Sequence, residues 1–264
     1  MVELLAQKFF HAFYNHQWPG GSCAEIGSLS IEEAYEVQDA VAQLRIDAGE
    51  EFVGYKVGCT STAIRSQFGL TEPIHGKIFR PHVFGENACV DWSHFNNFSI
   101  EPEMVFKIGK ELDEVNPSDD ELIDSIQYVS PGIELHDFKF WHSPTTLQEL
   151  ICSNGIHAGL VVGNAKASPS DLNFKREVFS VYEGNRLVTS APASEIMGGP
   201  LNSLRWLVTS LCSQGLSLTK DSLVIPGSPV KLISVDRDTK LNVIIENIGR
   251  LDGVFRRRLR RSDN

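Results

Sequence analysis

Acidic residues in two short apolar segments are the side chains of this sequence best suited to act together in chemistry. Glu101 and Glu103 lie in the run Ser99–Ile108, whose alternating apolar residues predict a β-strand. Because successive strand side chains point to opposite faces, both carboxylates should emerge on one face, with Cα atoms about 7 Å apart. Neighbouring carboxylates in a partly buried site repel each other unless they take up a proton or share a cation. A solvated acidic face is the alternative interpretation of this spacing.

A third carboxylate follows a predicted turn. Glu134 comes after Ser130-Pro131-Gly132 and lies between two apolar residues of the predicted strand Ile133 to Asp137. Three carboxylates on two strands suit Mg²⁺ or Mn²⁺, which prefer oxygen ligands. No Cys-x-x-Cys pair or paired-histidine spacing competes for zinc. His136 lies on the same side of the strand as Glu134, where it is either a further ligand or a structural imidazole.

A lysine in an apolar strand is the other charge with an unusual setting. Lys56 lies in the predicted strand Phe52 to Val57, beside Gly54 and Gly58, which allow another backbone or a ligand to approach closely. The residue is either a cation of the site or an edge-strand lysine whose aliphatic stem covers the sheet while its ammonium group reaches water.

The elements that must position these residues are helices at the beginning of the chain and mostly strands after it. Apolar residues from Leu4 to Phe13 predict a first helix that Pro19-Gly20-Gly21 ends, and Ser30 with Glu33 forms the capping-box pattern of a second helix. Further predicted elements are helices over Ser118 to Ile126 and Leu201 to Cys212, a hairpin turn at Gly184-Asn185, and strands over Gly159 to Val162, Phe174 to Tyr182 and Leu223 to Pro226. Because helices and strands do not alternate regularly, the pattern favours an α+β fold class.

Composition limits the class of protein and its partners. The chain has 264 residues, of which 42% are hydrophobic and 22% charged, and this excludes the disordered and fibrous classes. Its formal net charge of -10 disfavours nucleic acid as a partner. The basic run Arg256 to Arg261 is interpreted as a solvated tail, with an anion-binding or targeting patch as the alternative.

Cysteine usage and hydropathy predict a location. The five cysteines are odd in number and widely spaced, which argues against a disulfide framework and indicates a reducing compartment. No apolar run approaches the roughly 18 residues of a membrane span, and the first residues lack the zones of a secretory signal. We therefore expect a cytoplasmic protein without a membrane partner.

A succession of motifs resembles one enzyme family. The motifs are Val53-Gly54-Tyr55-Lys56-Val57-Gly58-Cys59-Thr60-Ser61, Ile100-Glu101-Pro102-Glu103, Ile133-Glu134-Leu135-His136, Asn154-Gly155-Ile156-His157-Ala158-Gly159, and Gly198-Gly199-Pro200-Leu201 with Arg205-Trp206-Leu207. Their order, from about Ser30 to Val254, is similar to that in the 2-keto-4-pentenoate hydratase and 4-oxalocrotonate decarboxylase branch of the fumarylacetoacetate hydrolase superfamily. The resemblance implies a mixed β-roll core with helices packed around it and a divalent metal, usually Mg²⁺ with Mn²⁺ as the alternative. It also implies small 2-oxo or 2-hydroxydienoate acids as substrates.

The resemblance assigns roles to residues of this sequence. Carried over position by position, it implies Glu101, Glu103 and Glu134 as metal ligands and Lys56 as a catalytic and substrate-binding residue. The family's Thr-Gly-Ser loop corresponds to Pro226-Gly227-Ser228, which makes its serine an expected substrate contact.

One motif departs from the family pattern. Hydratases of the branch often show Pro-Asp-Phe-Gly where this chain has Pro73-Ile74-His75-Gly76, so an acidic group is missing, and decarboxylases tend to have an apolar residue there. Ile74 is therefore an expected substrate contact. His75 is either an acid-base catalyst or a surface loop residue. His157 completes the expected substrate pocket.

The expected function is that of a hydratase. Water would add to a 2-hydroxydienoate or 2-oxo-alkenoate whose C1 carboxylate and C2 oxygen chelate the metal. The first alternative is decarboxylation of a 4-oxalocrotonate-like 2-oxo diacid, which uses the same metal-chelated 2-oxo group as electron sink. An acylpyruvate hydrolase and a non-catalytic family member are the further alternatives. The resemblance implies a homo-oligomer, with association with a related hydratase or decarboxylase as an alternative.

The expected domain organisation has two regions. Residues 1-80 would form an N-terminal helical and first-strand region, packed on a metal-binding β-roll catalytic core of residues 81-264. We expect the two regions to make one continuous domain, because no long linker separates them.

Overall fold

The computed structural model describes residues 1–15, 23–62, 65, 72–95, 97–137 and 146–257. Helices in these ranges are α1 (Val2–Asn15), α2 (Cys23–Gly27), α3 (Ile31–Asp47), α4 (Asp119–Ser125), α5 (Leu147–Cys152) and α6 (Pro200–Ser213). Strands are β1 (Phe52–Gly58), β2 (Ile74–Phe79), β3 (Val83–Gly85), β4 (Cys89–Val90), β5 (Ser99–Ile108), β6 (Ile126–His136), β7 (His157–Val162), β8 (Val178–Glu183), β9 (Arg186–Pro192), β10 (Leu223–Ile225), β11 (Ile233–Ser234), β12 (Thr239–Ile245) and β13 (Gly249–Phe255).

The candidate site lies on a mixed sheet. Its strand order is β2-β1-β10-β5-β6-β7-β3, and β11 pairs with the start of β5. The neighbours β1 and β10 run parallel, as do β3 and β7, while β5 is antiparallel to both β10 and β6. A second sheet, in the order β4-β13-β12-β8-β9, contacts the first through β13, β12 and β6.

The main apolar core is built from both sheets and α6. Met104 and Phe106 of β5 are fully buried in it, together with Val243 of β12 and Leu207 of α6. Burying an apolar side chain of this size contributes roughly 1.5–3 kcal/mol, so these contacts fix one face of β5. The opposite face of this strand, which carries its two glutamates, is turned away from the core.

The N-terminal helices form a second, smaller core against the site-bearing sheet. Leu5 and Phe9 of α1 pack with Val37 of α3 and Leu150 of α5. Ile74, at the start of β2, belongs to the same cluster. The helices therefore fix the end of β2 that lies nearest to the candidate site.

The two helices predicted at the start of the chain are present as α1 and α3, and the short α2 between them was not predicted. The capping box is confirmed: the Glu33 backbone N–H donates to the Ser30 hydroxyl, and the Ser30 N–H donates to the Glu33 carboxylate. The apolar residues that predict α1 begin at Leu4, but Leu4 is 64% exposed, so its inclusion in one buried apolar stripe is wrong. The buried stripe instead runs through Leu5, Phe9 and Ala12, because residues four and three apart share a helix face.

The turn predicted at Ser130-Pro131-Gly132 is wrong, because β6 continues through it. Proline is normally excluded from central strands because it has no N–H to donate. The Pro131 carbonyl accepts from the Gly163 N–H, which places the Pro131 backbone on the β7 side of the strand. The position that lacks an N–H therefore faces Gly163, just beyond the end of β7 at Val162, so the proline lies where the pairing of β6 with β7 ends.

Some strand limits also differ from the predictions. The hairpin at Gly184-Asn185 is confirmed as the connection of β8 and β9. However, β8 begins at Val178 rather than Phe174, because the preceding residues form a turn in which the Arg176 N–H donates to the Asn173 carbonyl.

Parts of two predictions lie outside the described residues, namely the helix-ending Pro19-Gly20-Gly21 and the end of the basic tail, Arg258 to Arg261. Within the described ranges, no helix has both the length and the apolar character needed to cross a membrane. The free cysteines there are Cys59, Cys89, Cys152 and Cys212.

Candidate active site

The pairing of β5 with β6 brings the predicted site residues to one face of the sheet. Glu101 is paired with Glu134, Ser99 is paired with His136, and Glu103 lies two residues further along β5. Directly paired residues of antiparallel strands share a face. The three glutamates and the histidine therefore lie on the face opposite the main core, as the alternation of the sequence predicts.

Glu134 lies at the centre of the buried charges. Its Oε1 atom lies 3.1 Å from Lys56 Nζ and 2.8 Å from His157 Nδ1, and its Oε2 atom lies 3.4 Å from His136 Nε2. Burial alone would raise the pKa of this carboxyl group. The charge of Lys56 and the contacts with the two histidines outweigh burial and hold the pKa well below its usual range. Glu134 is therefore ionised.

Lys56 reaches Glu134 from β1, which is an inner strand between β2 and β10. The side chain is only 3% exposed, and its ammonium group also donates to the Gly155 carbonyl at 3.2 Å, so the alternative of an edge lysine reaching water is wrong. Burial lowers the pKa of a lysine, but the negative charges of Glu134 and Glu101 raise that of Lys56 above its ordinary value. Cβ atoms at Gly155 and Gly58 would lie 3.0 and 3.2 Å from Nζ, so a larger residue at either position would displace the ammonium group.

Glu103 is a buried carboxyl group with an incomplete set of partners. Its Oε2 atom accepts from the Gly227 backbone N–H at 3.0 Å, while its Oε1 atom has no hydrogen-bond partner among the described residues. Burial raises its pKa well above the ordinary value, and the negative charges of Glu134 and Glu101 raise it further. A carboxyl group in this setting is stabilised by a proton or by a cation shared with its acidic neighbours. The donor set therefore fits a divalent metal ion.

His136 joins two of the glutamates in the tightest group of possible ligands. Its Nε2 atom lies 3.1 Å from Glu101 Oε2. Glu101, Glu134 and His136 offer ligand atoms that all lie within 4.8 Å of one another. In the part of the chain that the structure describes, this group contains His136 and not Glu103. Glu101 is its most accessible member, with 13% of its side chain exposed.

His157, on β7, is a neutral imidazole beside the same carboxylates. Burial lowers its pKa to about 4, although the hydrogen bond to Glu134 opposes this shift. An ionised carboxylate only accepts hydrogen bonds, so Nδ1 carries the proton and Nε2 keeps its lone pair. Nε2 is buried and has no partner within the described ranges. The ring can therefore accept a hydrogen bond or a proton from a substrate group.

Ile74 and His75 lie on opposite faces of β2. Ile74 is paired with Gly58 and His75 with Val57, which places Ile74 on the Lys56 face of the sheet. A Cβ atom at Gly58 would lie 3.4 Å from Ile74 Cγ1, close to the lysine ammonium. The structure thus brings Ile74, but not His75, to the face of the carboxylates.

His75 lies in an aromatic environment. Its ring stacks on Tyr35 with 4.5 Å between centroids, and the rings of Tyr55 and Trp206 lie 6.1 and 6.2 Å away. Burial and the charge of Lys77 lower its pKa to about 3. The side chain is 2% exposed in a strand, so its interpretation as a surface loop residue is wrong. Its role as an acid-base catalyst stays a prediction.

The loop after β10 supplies both Ser228 and the backbone donor to Glu103. Ser228 is buried, and its hydroxyl oxygen accepts from the Val230 N–H at 3.4 Å. Gly227 has a φ of 111°, and a Cβ atom there would lie 2.5 Å from Thr60, in the loop after β1. The sequence reasoning missed the backbone groups of Gly155 and Gly227. The available signal was the glycine in each motif, which a close approach or a positive φ requires.

Comparisons with known proteins identify relatives by sequence. No protein-family model matches the chain. The 2-keto-4-pentenoate hydratase of Paraburkholderia xenovorans (strain LB400) is 24% identical over 221 residues, which cover 84% of this chain and 82% of the relative. The 4-oxalocrotonate decarboxylase of a Pseudomonas species is 27% identical over 224 residues, which cover 85% of this chain and 86% of the relative.

Solved structures share the fold. The 4-oxalocrotonate decarboxylase from Pseudomonas putida G7, complexed with magnesium and adipate, has a TM-score of 0.91 at 21% identity and covers 96% of this chain and 97% of its own. The fumarylpyruvate hydrolase from Pseudomonas aeruginosa, in complex with Mn²⁺ and pyruvate, has a TM-score of 0.61 at 16% identity and covers 77% of this chain and 89% of its own. The fold is therefore the predicted α+β fold of the fumarylacetoacetate hydrolase type. The resemblance of the sequence to the 2-keto-4-pentenoate hydratase and 4-oxalocrotonate decarboxylase branch is confirmed by its relatives. Both these solved structures contain a divalent metal ion, which agrees with the donor set of the site.

Proposed function

We propose that this protein is a divalent-metal-dependent hydro-lyase that adds water to a small 2-hydroxydienoate or 2-oxo-alkenoate. The observation that carries the proposal is the buried contact of Lys56 with Glu134, beside Glu101 and Glu103 on one face of the sheet. Burying an ammonium group with several carboxylates costs desolvation free energy, and such clusters are concentrated at sites that serve binding or catalysis. The name of the hydratase relative supports hydration, and that of the decarboxylase relative supports the second candidate below.

Carboxylates of the cluster would hold the metal ion. Glu101, Glu103 and Glu134 are the proposed oxygen ligands, and Mg²⁺ or Mn²⁺ is the proposed ion. When bound, the ion supplies Lewis-acid stabilisation for the C1 carboxylate and C2 oxygen of a 2-oxo acid. The carboxylates retain negative charge, and the ammonium group of Lys56 offsets it when a substrate anion arrives.

Lys56 is the proposed proton carrier. Its ammonium group is fixed by Glu134 and by the Gly155 carbonyl, which leaves one of its three protons free of these two acceptors. That proton can pass to C5 of the dienol while the 2-hydroxyl group loses its own proton, which restores the ammonium form of Lys56, and the product is a conjugated ketone. Water then adds at C4 of the alkene, and His157, Ile74 and Ser228 are proposed to contact the distal part of the substrate.

A decarboxylase of a 4-oxalocrotonate-like 2-oxo diacid is the second candidate, and Ile74 is the observation that favours it. The side chain is buried beside Gly58 on the Lys56 face and offers no hydrogen bond. An apolar wall disfavours a bound carboxylate but not neutral CO₂. Loss of CO₂ would use the same enolate stabilisation as hydration.

Product analysis distinguishes these reactions. The protein, loaded with Mg²⁺ or Mn²⁺, is incubated with 2-hydroxydienoates, oxalocrotonate, oxaloacetate and acylpyruvates, and products are identified by NMR. A water adduct at C4 supports the hydratase, release of CO₂ supports the decarboxylase, and a cleaved acid supports an acylpyruvate hydrolase. No turnover of any compound, with metal binding demonstrated, would contradict the proposal in favour of a non-catalytic protein.

We further propose a homo-oligomer, on the basis of the sequence resemblance. Light scattering during size-exclusion chromatography measures the mass of the particle, and a value near the 29.3 kDa of one chain would contradict it.

A further inference from the structure

The strand register offers two ways to complete a ligand set around the pair of Glu101 and Glu134. Glu103 lies on one side of this pair along β5, and His136 lies on the other side along β6. His136 Nε2 is 3.1 Å from Glu101 and 3.4 Å from Glu134, whereas Glu103 is engaged by the Gly227 N–H. Adjacent ligand atoms of a six-coordinate ion with bonds of about 2.1 Å are about 3 Å apart. The spacing of the histidine from both carboxylates has this size.

The partners of Glu134 also direct an ion towards His136. Its Oε1 atom is occupied by Lys56 and His157. Its Oε2 atom faces His136 Nε2. The Glu134 oxygen that these partners leave for a cation is therefore Oε2, and an ion bound to it lies within reach of His136 Nε2.

The histidine can present a lone pair at this position. His136 is 2% exposed, and its Nδ1 atom has no hydrogen-bond partner in the described part of the chain. Without an ion, the facing carboxylates of Glu101 and Glu134 favour the proton on Nε2. A cation held by these carboxylates removes that preference, and the ring can then carry its proton on Nδ1. Nε2 then becomes a ligand, as in most histidine metal sites.

From this geometry we propose that His136 is a nitrogen ligand of the metal ion, and that the site therefore prefers Mn²⁺ and related transition ions over Mg²⁺. The inference rests on the proposed metal site and deepens it. Mg²⁺ favours oxygen ligands almost exclusively, whereas imidazole binds first-row transition ions. One nitrogen among the ligands therefore raises the affinity for Mn²⁺ relative to Mg²⁺.

Pulsed EPR on the intact protein loaded with Mn²⁺ tests the ligand directly. A coordinated imidazole gives a nitrogen hyperfine coupling, which changes from the ¹⁴N to the ¹⁵N pattern when the protein is made with ¹⁵N-histidine. We expect this coupling in the unmodified protein, so the test does not depend on the folding of a variant. Its absence would overturn the inference.

Two matched variants identify the histidine. His136→Val should abolish the coupling and lower Mn²⁺ affinity about 10- to 100-fold, while Mg²⁺ affinity, measured by calorimetry, changes less than about threefold. His157→Gln removes the other buried histidine that contacts Glu134, and it should keep the coupling and the Mn²⁺ to Mg²⁺ preference. His136→Gln serves in place of the valine variant if circular dichroism shows that the latter is unfolded. Loss of the coupling in His157→Gln alone, or an unchanged metal preference in both His136 variants, would contradict the proposal.

The outcomes separate this inference from the proposed function. Turnover of a 2-hydroxydienoate with Mg²⁺, together with no nitrogen coupling from Mn²⁺, would overturn the ligand role of His136 and leave the hydratase proposal standing. Nitrogen coupling without turnover of any 2-oxo acid would support the ligand role and contradict the hydratase.

Discussion

At the scale of single residues, Lys56 and Glu134 each compensate the buried charge of the other. Both side chains are almost fully buried, and the distance between their charged atoms is 3.1 Å. Removing one member of a buried pair leaves an uncompensated charge, which typically costs about 3–5 kcal/mol. The histidine contacts of Glu134 reduce this cost for loss of the lysine, because the carboxylate keeps two of its partners.

Lys56→Met should lower kcat at least about 100-fold, because it removes the proposed proton carrier. Metal affinity should change far less than turnover, because the carboxylate ligands remain. Steady-state kinetics and calorimetric metal titration measure the two effects. Lys77→Met is the matched control, since Lys77 belongs to the adjacent strand β2 but contacts Asp39 and Gln38 instead of the carboxylates. A Lys56→Met protein that turns over at the parental rate would show that the lysine is only structural.

Glu103→Gln should have opposite effects on metal binding and on the stability of the metal-free protein. The amide oxygen can keep the hydrogen bond from Gly227, while the loss of the carboxyl group ends the repulsion by Glu134 and Glu101. We expect metal affinity to fall at least about tenfold, which is the size of the loss when a metal ligand, or a residue that orients one, is substituted. The free energy of unfolding without metal should stay the same or rise. Urea unfolding and metal titration test this, and a metal-free variant that is strongly destabilised would contradict the account of Glu103.

At the scale of elements, the sequence predicted the faces of strands better than their partners. Alternation along β5 correctly placed Glu101 and Glu103 together, because side-chain direction is a local property of a strand. The facing of Glu101 and Glu134 depends on the register of β5 and β6, which are distant in sequence. The contact of Gly155 with Lys56 likewise requires two segments about 100 residues apart to meet. Periodicity contains no information about such pairings. The resemblance to a known family grouped the three glutamates with Lys56, but it did not predict the contact of Gly155.

A cluster of charged and aromatic side chains lies where the N-terminal helices contact the sheet. Arg45 of α3 pairs with Glu50 at 2.7 Å and lies over the Phe79 ring, 3.9 Å from its centroid. Glu50 also accepts a hydrogen bond from Tyr14 of α1 and contacts His82 at 3.1 Å. The cluster therefore connects α1 and α3 to the end of β2 and the segment after it. The site residue Ile74 lies at the opposite end of the same strand.

Stability should depend on Glu50 in a pH-dependent way. Burial raises the pKa of this carboxyl, but the hydrogen bonds from His82 and Tyr14 and the charge of Arg45 outweigh it and lower the pKa to about 2. A carboxyl group whose pKa is lowered by folding stabilises the folded state at pH values above its ordinary pKa. That contribution disappears as the pH falls towards 2. Glu50→Gln should therefore destabilise at pH 7 by about 1–2 kcal/mol, a range reduced because the group is only partly buried. The difference from the parent should shrink steadily between about pH 5 and pH 2.

Glu51→Gln is the control for this pH dependence, because Glu51 is the next residue and pairs with Arg80 at the surface. Urea unfolding of the two variants and the parent at several pH values gives the comparison. Equal effects of both substitutions, or a Glu50→Gln difference that persists at pH 2, would contradict the role given to Glu50.

At the scale of the whole molecule, the site lies where the larger sheet, the main apolar core and the core of the N-terminal helices meet. The sheet face that carries the carboxylates is backed by the main core, while Ile74 joins it to the core of the N-terminal helices. Strands β1 and β2, from the first region of the chain, belong to the same sheet as β5 and β6. We therefore propose that residues 1-80 and 81-264 form one continuous domain and unfold together.

Because the buried acidic cluster belongs to this common sheet, a divalent ion should stabilise the whole protein. A ligand that binds only the folded state at 100 times its Kd adds about 2.7 kcal/mol, which for a chain of this size raises Tm by roughly 5–10 °C. Differential scanning calorimetry with and without Mn²⁺ measures this shift. Glu134→Gln should abolish it, because the substitution removes the central carboxylate. Glu149→Gln should keep it, because Glu149 is a buried glutamate of a helix cap away from the cluster. A shift of equal size in both variants would show that the metal binds elsewhere, and two separate unfolding transitions in the parent would contradict the single domain.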